Sequence, residues 1–139
     1  MYKNILLAAD GSENAVRSAR HALGIRAGQK DSHIDIIYVI DGEKAKSEVI
    51  HFGDTAVIEK KRKERLKPII EMFEEENVSY DIHLKHGEPG PSIVEFANEG
   101  NYDCVVIGSR GLNKLQSMVL GSVSHKVAKR VQSPVMIVK

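Results

Sequence analysis

Apolar residues along this chain follow two rhythms: short continuous runs of aliphatic and β-branched residues, and longer stretches in which they recur every three or four positions. The runs are NILLAAD, HIDIIYVI, VSYDIHLKHG, YDCVVIG and PVMIVK; between them lie SENAVRSARHALGIRAG, a charged helical stretch, PSIVEFANEG and GSVSHKVAKRVQ. Residues 5–9 and 104–107 are apolar on both faces, as parallel strands covered by helices above and below must be. This βαβα order predicts a doubly wound α/β sandwich.

In the first helix Val16, Ala19 and Leu23 recur at helical spacing with Ala15 and Ala22 beside them, a narrow stripe that can approach a sheet closely. Ser12 is its candidate N-cap. Residues 41–55, DGEKAKSEVIHFGDT, break the apolar rhythm and read as a long mobile connection. In the helix that follows, Leu66, Ile69, Ile70 and Phe73 form a core stripe. Pro68 among them lacks a backbone donor and crowds the preceding turn, which predicts a kink or break. Lys60, Lys61, Arg62, Lys63 and Arg65, interrupted by Glu64, read as a solvated helix face. Val123, Val127, Ala128 and Val131 share one face of the penultimate element, and Pro134 opens the last strand, a placement that favours a sheet edge.

The 139 residues suit a single domain over 1–139. Lys and Arg number 20 against 19 Asp and Glu, so no strong field recruits a polyanion and nucleic acid is a poor partner. Apolar runs fall well short of the ~20 residues that cross a bilayer, so no membrane span is expected. The opening MYKNILLAADGS has no charged-then-apolar leader, and one cysteine cannot form an internal disulfide; a cytoplasmic protein is expected. Cys104, inside YDCVVIG, reads as an inert core residue.

The chemistry concentrates in VVIGSRGLNKLQSMVLGSVS, residues 105–124. Gly108 follows a buried strand and Gly121 precedes a helix, so the connection leaves the carboxyl end of the sheet, where open α/β folds bind ligands. Glycines let backbone amides approach a bulky group, and a helix N-terminus directs unpaired N–H groups at an anion, which suits phosphate. Ser122 and Ser124 add hydroxyls and Arg110 a forked donor. The same residues also serve as an ordinary helix cap and turns. The first strand ends in Ala9, Asp10, Gly11 and Ser12, whose carboxyl end should neighbour this loop. Asp10 there can accept from a ribose or base, hold a divalent cation that neutralises a polyphosphate, or act as a turn residue.

The spacing G-x2-G-x9-G-[ST], met by Gly108, Gly111, Gly121 and Ser122, resembles the signature of the universal stress protein family, in its single-domain, ATP-binding branch. ILLAADGS, IIYVID, KHGEP, VVIGSRG and GSVSHKVAKRVQSPVMIV resemble family blocks in family order, so the likeness covers nearly the whole chain. It implies a five-stranded parallel sheet of order 3-2-1-4-5 with helices on both faces, adenine nucleotide alpha-hydrolase-like. It implies ATP, with Mg2+, as the ligand. Carried over, the pattern puts Ala9, Asp10, Gly11 and Ser12 near ribose and adenine, backbone groups of Val39 on the base, and Ile107 along the pocket. Gly108, Arg110 and Gly111 would surround the ribose and first phosphates; Gly121, Ser122, Val123 and Ser124 would cradle the phosphates. Tyr38 stands where members often carry His. Gly87, in HGEPG, serves either close backbone approach or a plain turn.

No G-x4-G-K-[ST] loop is present, so no Walker lysine is available, and no nucleophile is paired with a base. His21, His33, His51, His83, His86 and His125 are scattered; His83 and His86 should point to opposite faces of a strand, and no metal cluster is expected from the spacing. His125 reads as a solvent-facing helix residue. The leading reading is a nucleotide-binding regulatory or stress-response protein in which ATP occupancy alters residues 41–55 and 112–120 and so the surface shown to an unknown protein partner. The alternatives are a slow ATPase using bound metal and Asp10, and a non-nucleotide chaperone-like interaction module. Val135, Met136, Ile137 and Val138, on what the family order makes an edge strand, predict a two-fold homodimer through antiparallel strand pairing.

Overall fold

The computed structural model describes residues 1–10, 13–109 and 121–139, the side chain of Glu13 excepted. Gly11, Ser12, Arg110 and Gly111, and with them the Ser12 cap, lie outside the described residues. In chain order the elements are β1 (Asn4–Ala8), α1 (Glu13–Ile25), β2 (His33–Ile40), α2 (Gly42–Phe52), α3 (Thr55–Glu75), β3 (Ser79–His86), α4 (Pro89–Gly100), β4 (Cys104–Gly108), α5 (Ser122–Arg130) and β5 (Val135–Val138). The five strands form one parallel sheet of order β3-β2-β1-β4-β5, as the resemblance implied.

Strand alternation splits the core into two layers. Ile5, Leu7, Ile34, Ile36 and Tyr38 face α1 and α3, against Ala15, Ala19, Ala22, Leu66, Ile69 and Phe73. Leu6, Ile37, Val39, Val105 and Ile107 face α4 and α5, against Ile93, Ala97, Val127 and Val131. The central strands β1 and β4 are covered on both sides, which is why their sequences are apolar without alternation.

Four expectations need correction. Residues 41–55 are not a loop: most of them form α2. Asp41 caps it, its Oδ1 accepting from the Lys44 amide at 2.7 Å. Gly53, at φ 71°, closes it by donating to Val49 O at 2.9 Å. The helix is fastened by Glu48, only 2% exposed, whose carboxylate accepts from Arg62 Nε at 3.0 Å and Arg62 Nη2 at 3.1 Å. An ion pair leaves no apolar stripe, and Val49 and Ile50 face solvent, so periodicity could not show this helix. Arg62 and Arg65 consequently leave the solvated face: both turn toward Glu48. Nor does Pro68 break α3, which runs through it. An internal proline costs about 3 kcal/mol, whereas burying Leu66, Ile69 and Phe73 on the sheet returns about 1.5–3 kcal/mol each. Ala128, expected on the inward stripe of α5, is exposed.

Polar groups fasten the amino end of the sheet. Asp103 Oδ2 accepts from the Lys3 and Asn4 amides, both at 2.9 Å, joining β1 to the approach to β4. Half-buried Asp35, on β2, keeps its charge: burial opposes it, but hydrogen bonds from His83, Tyr102 and His33 outweigh burial and hold the carboxyl below the usual carboxylate range.

Candidate functional site

Strand order reverses at β1, which has β2 on one side and β4 on the other. The chain leaves β1 through α1 over one face and enters β4 from α4 over the opposite face, so a crevice opens between the carboxyl ends of β1 and β4. Most of the site residues read from the sequence gather at that end. Ala9 continues β1, its amide donating to Ile37 O at 3.0 Å, and half-buried Asp10 follows. The carbonyl of Ile40 turns to β3, accepting from Gly87 N at 3.1 Å, whereas that of Ile37 turns to β1. By the alternation of a ladder, the backbone of Val39 therefore faces the end of β1, where the resemblance puts the base. The Val39 and Ile107 side chains lie in the layer beneath, 6% and 5% exposed.

The loop between β4 and α5 is braced at both ends. The Ser109 amide donates to Val138 O at 2.8 Å, and the Ser109 carbonyl accepts from Gly121 N at 3.1 Å. A Cβ on Gly121 would lie 3.0 Å from that carbonyl, so any larger residue crowds the approach of the two backbone segments. Ser124 is buried, and its hydroxyl donates to Gly108 O at 2.8 Å. The proton that the resemblance assigns to phosphate is thus committed to the strand end, and Ser124 acts here as a brace. Ser122 is exposed in the first turn of α5, and Val123 packs partly into the core. Gly121, as N-cap, has no side chain to occupy the first-turn amides. They are the natural anion donors of the site.

Ser109 is the positioning residue that sequence reasoning missed, although a polar residue directly after VVIG was its signal. Tyr38 belongs elsewhere: it is fully buried on the α1 and α3 face, with Arg65 Nη1 donating to its hydroxyl at 3.1 Å and Lys44 Nζ over its ring at 4.6 Å. Gly87, at φ 149°, would bring a Cβ to 2.9 Å from Ser92 Oγ, so its turn demands glycine. Cys104 is buried, and burial pushes its thiol up, away from the nucleophilic thiolate. His125 is exposed, as expected.

The donor set suits a nucleotide. Backbone groups of Val39, the first-turn amides of α5 and the carboxylate of Asp10 gather at the carboxyl end of the sheet.

The sequence model of the universal stress protein family matches residues 1–139. Universal stress protein MJ0531 of Methanocaldococcus jannaschii is 34% identical over 146 residues, covering 100% of this chain and 83% of that protein. Among solved structures, that of hypothetical protein MJ0577 superposes with a TM-score of 0.84 at 28% identity, covering 100% of this chain and 96% of the other. The universal stress protein from Archaeoglobus fulgidus in complex with dAMP superposes with a TM-score of 0.70 at 25% identity, covering 99% and 98%. With its sheet order and glycine spacing in place and the match running end to end, the chain belongs to the universal stress protein family.

Proposed function

We propose that this chain binds an adenine nucleotide, ATP with Mg2+, in the crevice between the carboxyl ends of β1 and β4, and acts as a nucleotide-dependent regulatory protein of the cytoplasmic stress response. One observation carries the reading: the hydrogen bonds Ser124 Oγ to Gly108 O and Gly121 N to Ser109 O hold the start of α5 at the end of β4, the strand paired with the one that delivers Ala9 and Asp10. Phosphate donors and a base-and-ribose edge then face one crevice. The dAMP complex of the Archaeoglobus fulgidus relative supports the same ligand class. In this arrangement Val39 backbone groups read the base, Ile107 underlies it, Asp10 takes the ribose or the cation, and the amides of Ser122, Val123 and Ser124 hold the phosphates. Gly11, Ser12, Arg110 and Gly111 complete the set by resemblance.

Bound nucleotide changes the surface at this end of the sheet, and binding is the output. Freshly purified protein, heat-denatured and cleared of precipitate, should release ATP at near one per chain on anion-exchange chromatography. A supernatant free of adenine nucleotide, from protein that also fails to bind added Mg-ATP, would overturn the reading. Among the described residues β5 pairs with β4 alone, and Val135, Met136, Ile137 and Val138 make its other edge the contact of a two-fold dimer.

A further inference from the structure

At the opposite end of the sheet, β2 and β3 run parallel with Asp35 level with Asp81, and His33 level with Ser79. Period-two alternation therefore puts His33, Asp35, Asp81 and His83 on one face, that of α4. No single stretch of sequence contains this group; the register of two strands assembles it. His33 Nε2 lies 3.1 Å from Asp35 Oδ1 and 3.1 Å from Asp81 Oδ2, and His83 Nε2 lies 2.9 Å from the same Asp35 oxygen. The ligand atoms of His33, Asp35 and Asp81 all fall within 4.8 Å of one another.

Two carboxylate oxygens and an imidazole nitrogen that converge on one point need a positive centre between them. It can be a proton on His33 Nε2 or a cation. The hydrogen bond from His33 to Asp35 puts a proton on Nε2, and a metal bound there would displace it. His33 Nδ1 stands 2.7 Å from Ser79 Oγ, which accepts the ring proton in the tautomer that exposes Nε2. Tyr102 donates to Asp35 Oδ2 at 2.7 Å, occupying the outer oxygen and turning Oδ1 into the cluster. Such outer partners are the usual support of a metal ligand set. The spacing also fits: metal-to-ligand bonds of 2.0–2.1 Å in a tetrahedron separate neighbouring ligand atoms by roughly 3.3 Å, close to the 3.1 Å from His33 Nε2 to each carboxylate oxygen. Access is open, since the Asp81 side chain is 68% exposed and that of His33 29%.

We propose that His33, Asp35 and Asp81 form a binding site for a divalent cation of the zinc class, separate from the nucleotide crevice, with His83 holding Asp35 from beside it. An imidazole with two carboxylates, and a fourth position open to water, suits such an ion better than Mg2+ or Ca2+, which prefer all-oxygen sets. Bound there, it ties edge strand β3 to β2, and through Asp35 and Tyr102 to the segment between α4 and β4.

The test uses untagged protein stripped with chelator and titrated with Zn2+ alone by calorimetry, then with Co2+ followed by visible absorption. The expected result is one Zn2+ per chain and the intense visible bands of four-coordinate Co2+. Affinity should fall at least tenfold in Asp81→Asn and in His33→Gln and stay unchanged in His21→Gln, an exposed control. Asp81 is so exposed that its variant tests the site without testing the fold; a wild-type-like thermal transition in apo Asp81→Asn verifies this. No Zn2+ uptake at 100 µM, or uptake that both variants retain, would overturn the proposal. Mg-ATP binding is measured alongside, and either result leaves the nucleotide reading to its own experiment.

Discussion

The hydroxyl of Ser124 donates to the carbonyl of Gly108 across 2.8 Å, joining the first turn of α5 to the last residue of β4. That bond fixes the helix start against the strand end. Removing it in Ser124→Ala leaves a partly buried carbonyl with one partner fewer, at a cost of about 1 kcal/mol in stability. Because the amides it aligns lose their placement, Mg-ATP affinity should fall about tenfold, read by calorimetry. An affinity unchanged in a variant that has lost stability would show that the brace does not position the phosphate donors.

Glu48 and Arg62 make the strongest case for a polar interaction as a structural element. Glu48→Ala leaves Arg62 in a largely covered position without its partner and should destabilise the protein by about 3 kcal/mol. Replacing both residues together, Glu48→Leu with Arg62→Met, should recover most of that loss. Urea unfolding of the single and double variants measures both values. A single variant as stable as the parent would mean that the pair does not hold α2 on α3.

What the sequence showed and what it concealed divide along a physical line. Strands β1 and β4 and the helix stripe at Leu66, Ile69 and Phe73 were legible because burial on a regular lattice leaves a period in the residue types. Helix α2 was not, because its determinants are two caps and one ion pair to a residue fourteen positions on, none of which leaves a period. The continuity of α3 through Pro68 depended on comparing a local cost with tertiary burial, and no local rule contains the second quantity. Gly108 and Gly121 were found by their spacing, but the brace made by Ser124 and Ser109 emerges only when strand end and helix start are seen together. The grouping of His33 and Asp35 with Asp81 and His83 depends on strand register, which scanning histidines along the chain does not reveal.

Asp103 gives a pH dependence with a defined sign. The Asn4 and Lys3 amides donate to its carboxylate and hold its pKa below the usual value. A group depressed in the folded state stabilises above its unfolded pKa, near 4, and loses that contribution as pH falls through the folded value. The residue is only partly covered and screened by solvent, so the effect is at most about 1 kcal/mol. Asp103→Ala should be slightly less stable than the parent at pH 6, with the gap closing as the pH falls below the usual carboxylate range. A gap that stays constant across this range, in thermal unfolding at several pH values, would remove the charge from the explanation.

The edge of β5 predicts the assembly. Met136→Lys together with Val138→Lys puts like charges beside the two-fold axis and should convert a dimer to a monomer in light scattering at micromolar concentration. Val138 is buried, so the single Met136→Lys variant serves as the check against misfolding and should weaken the dimer by itself. A parent that is monomeric under these conditions, or a dimer indifferent to both variants, contradicts strand pairing at this edge.

The most direct test of the central claim is calorimetric titration of nucleotide-free protein with Mg-ATP, for the parent and for Gly121→Val. In the variant the new Cβ presses on the Ser109 carbonyl, and its methyl groups enter the space in front of the α5 amides. The account predicts one site per chain in the parent and a loss of at least a hundredfold in affinity in the variant, with α/β circular dichroism preserved. Equal affinity in the two proteins would place the nucleotide elsewhere, and no heat or saturation in the parent would contradict nucleotide binding at this crevice.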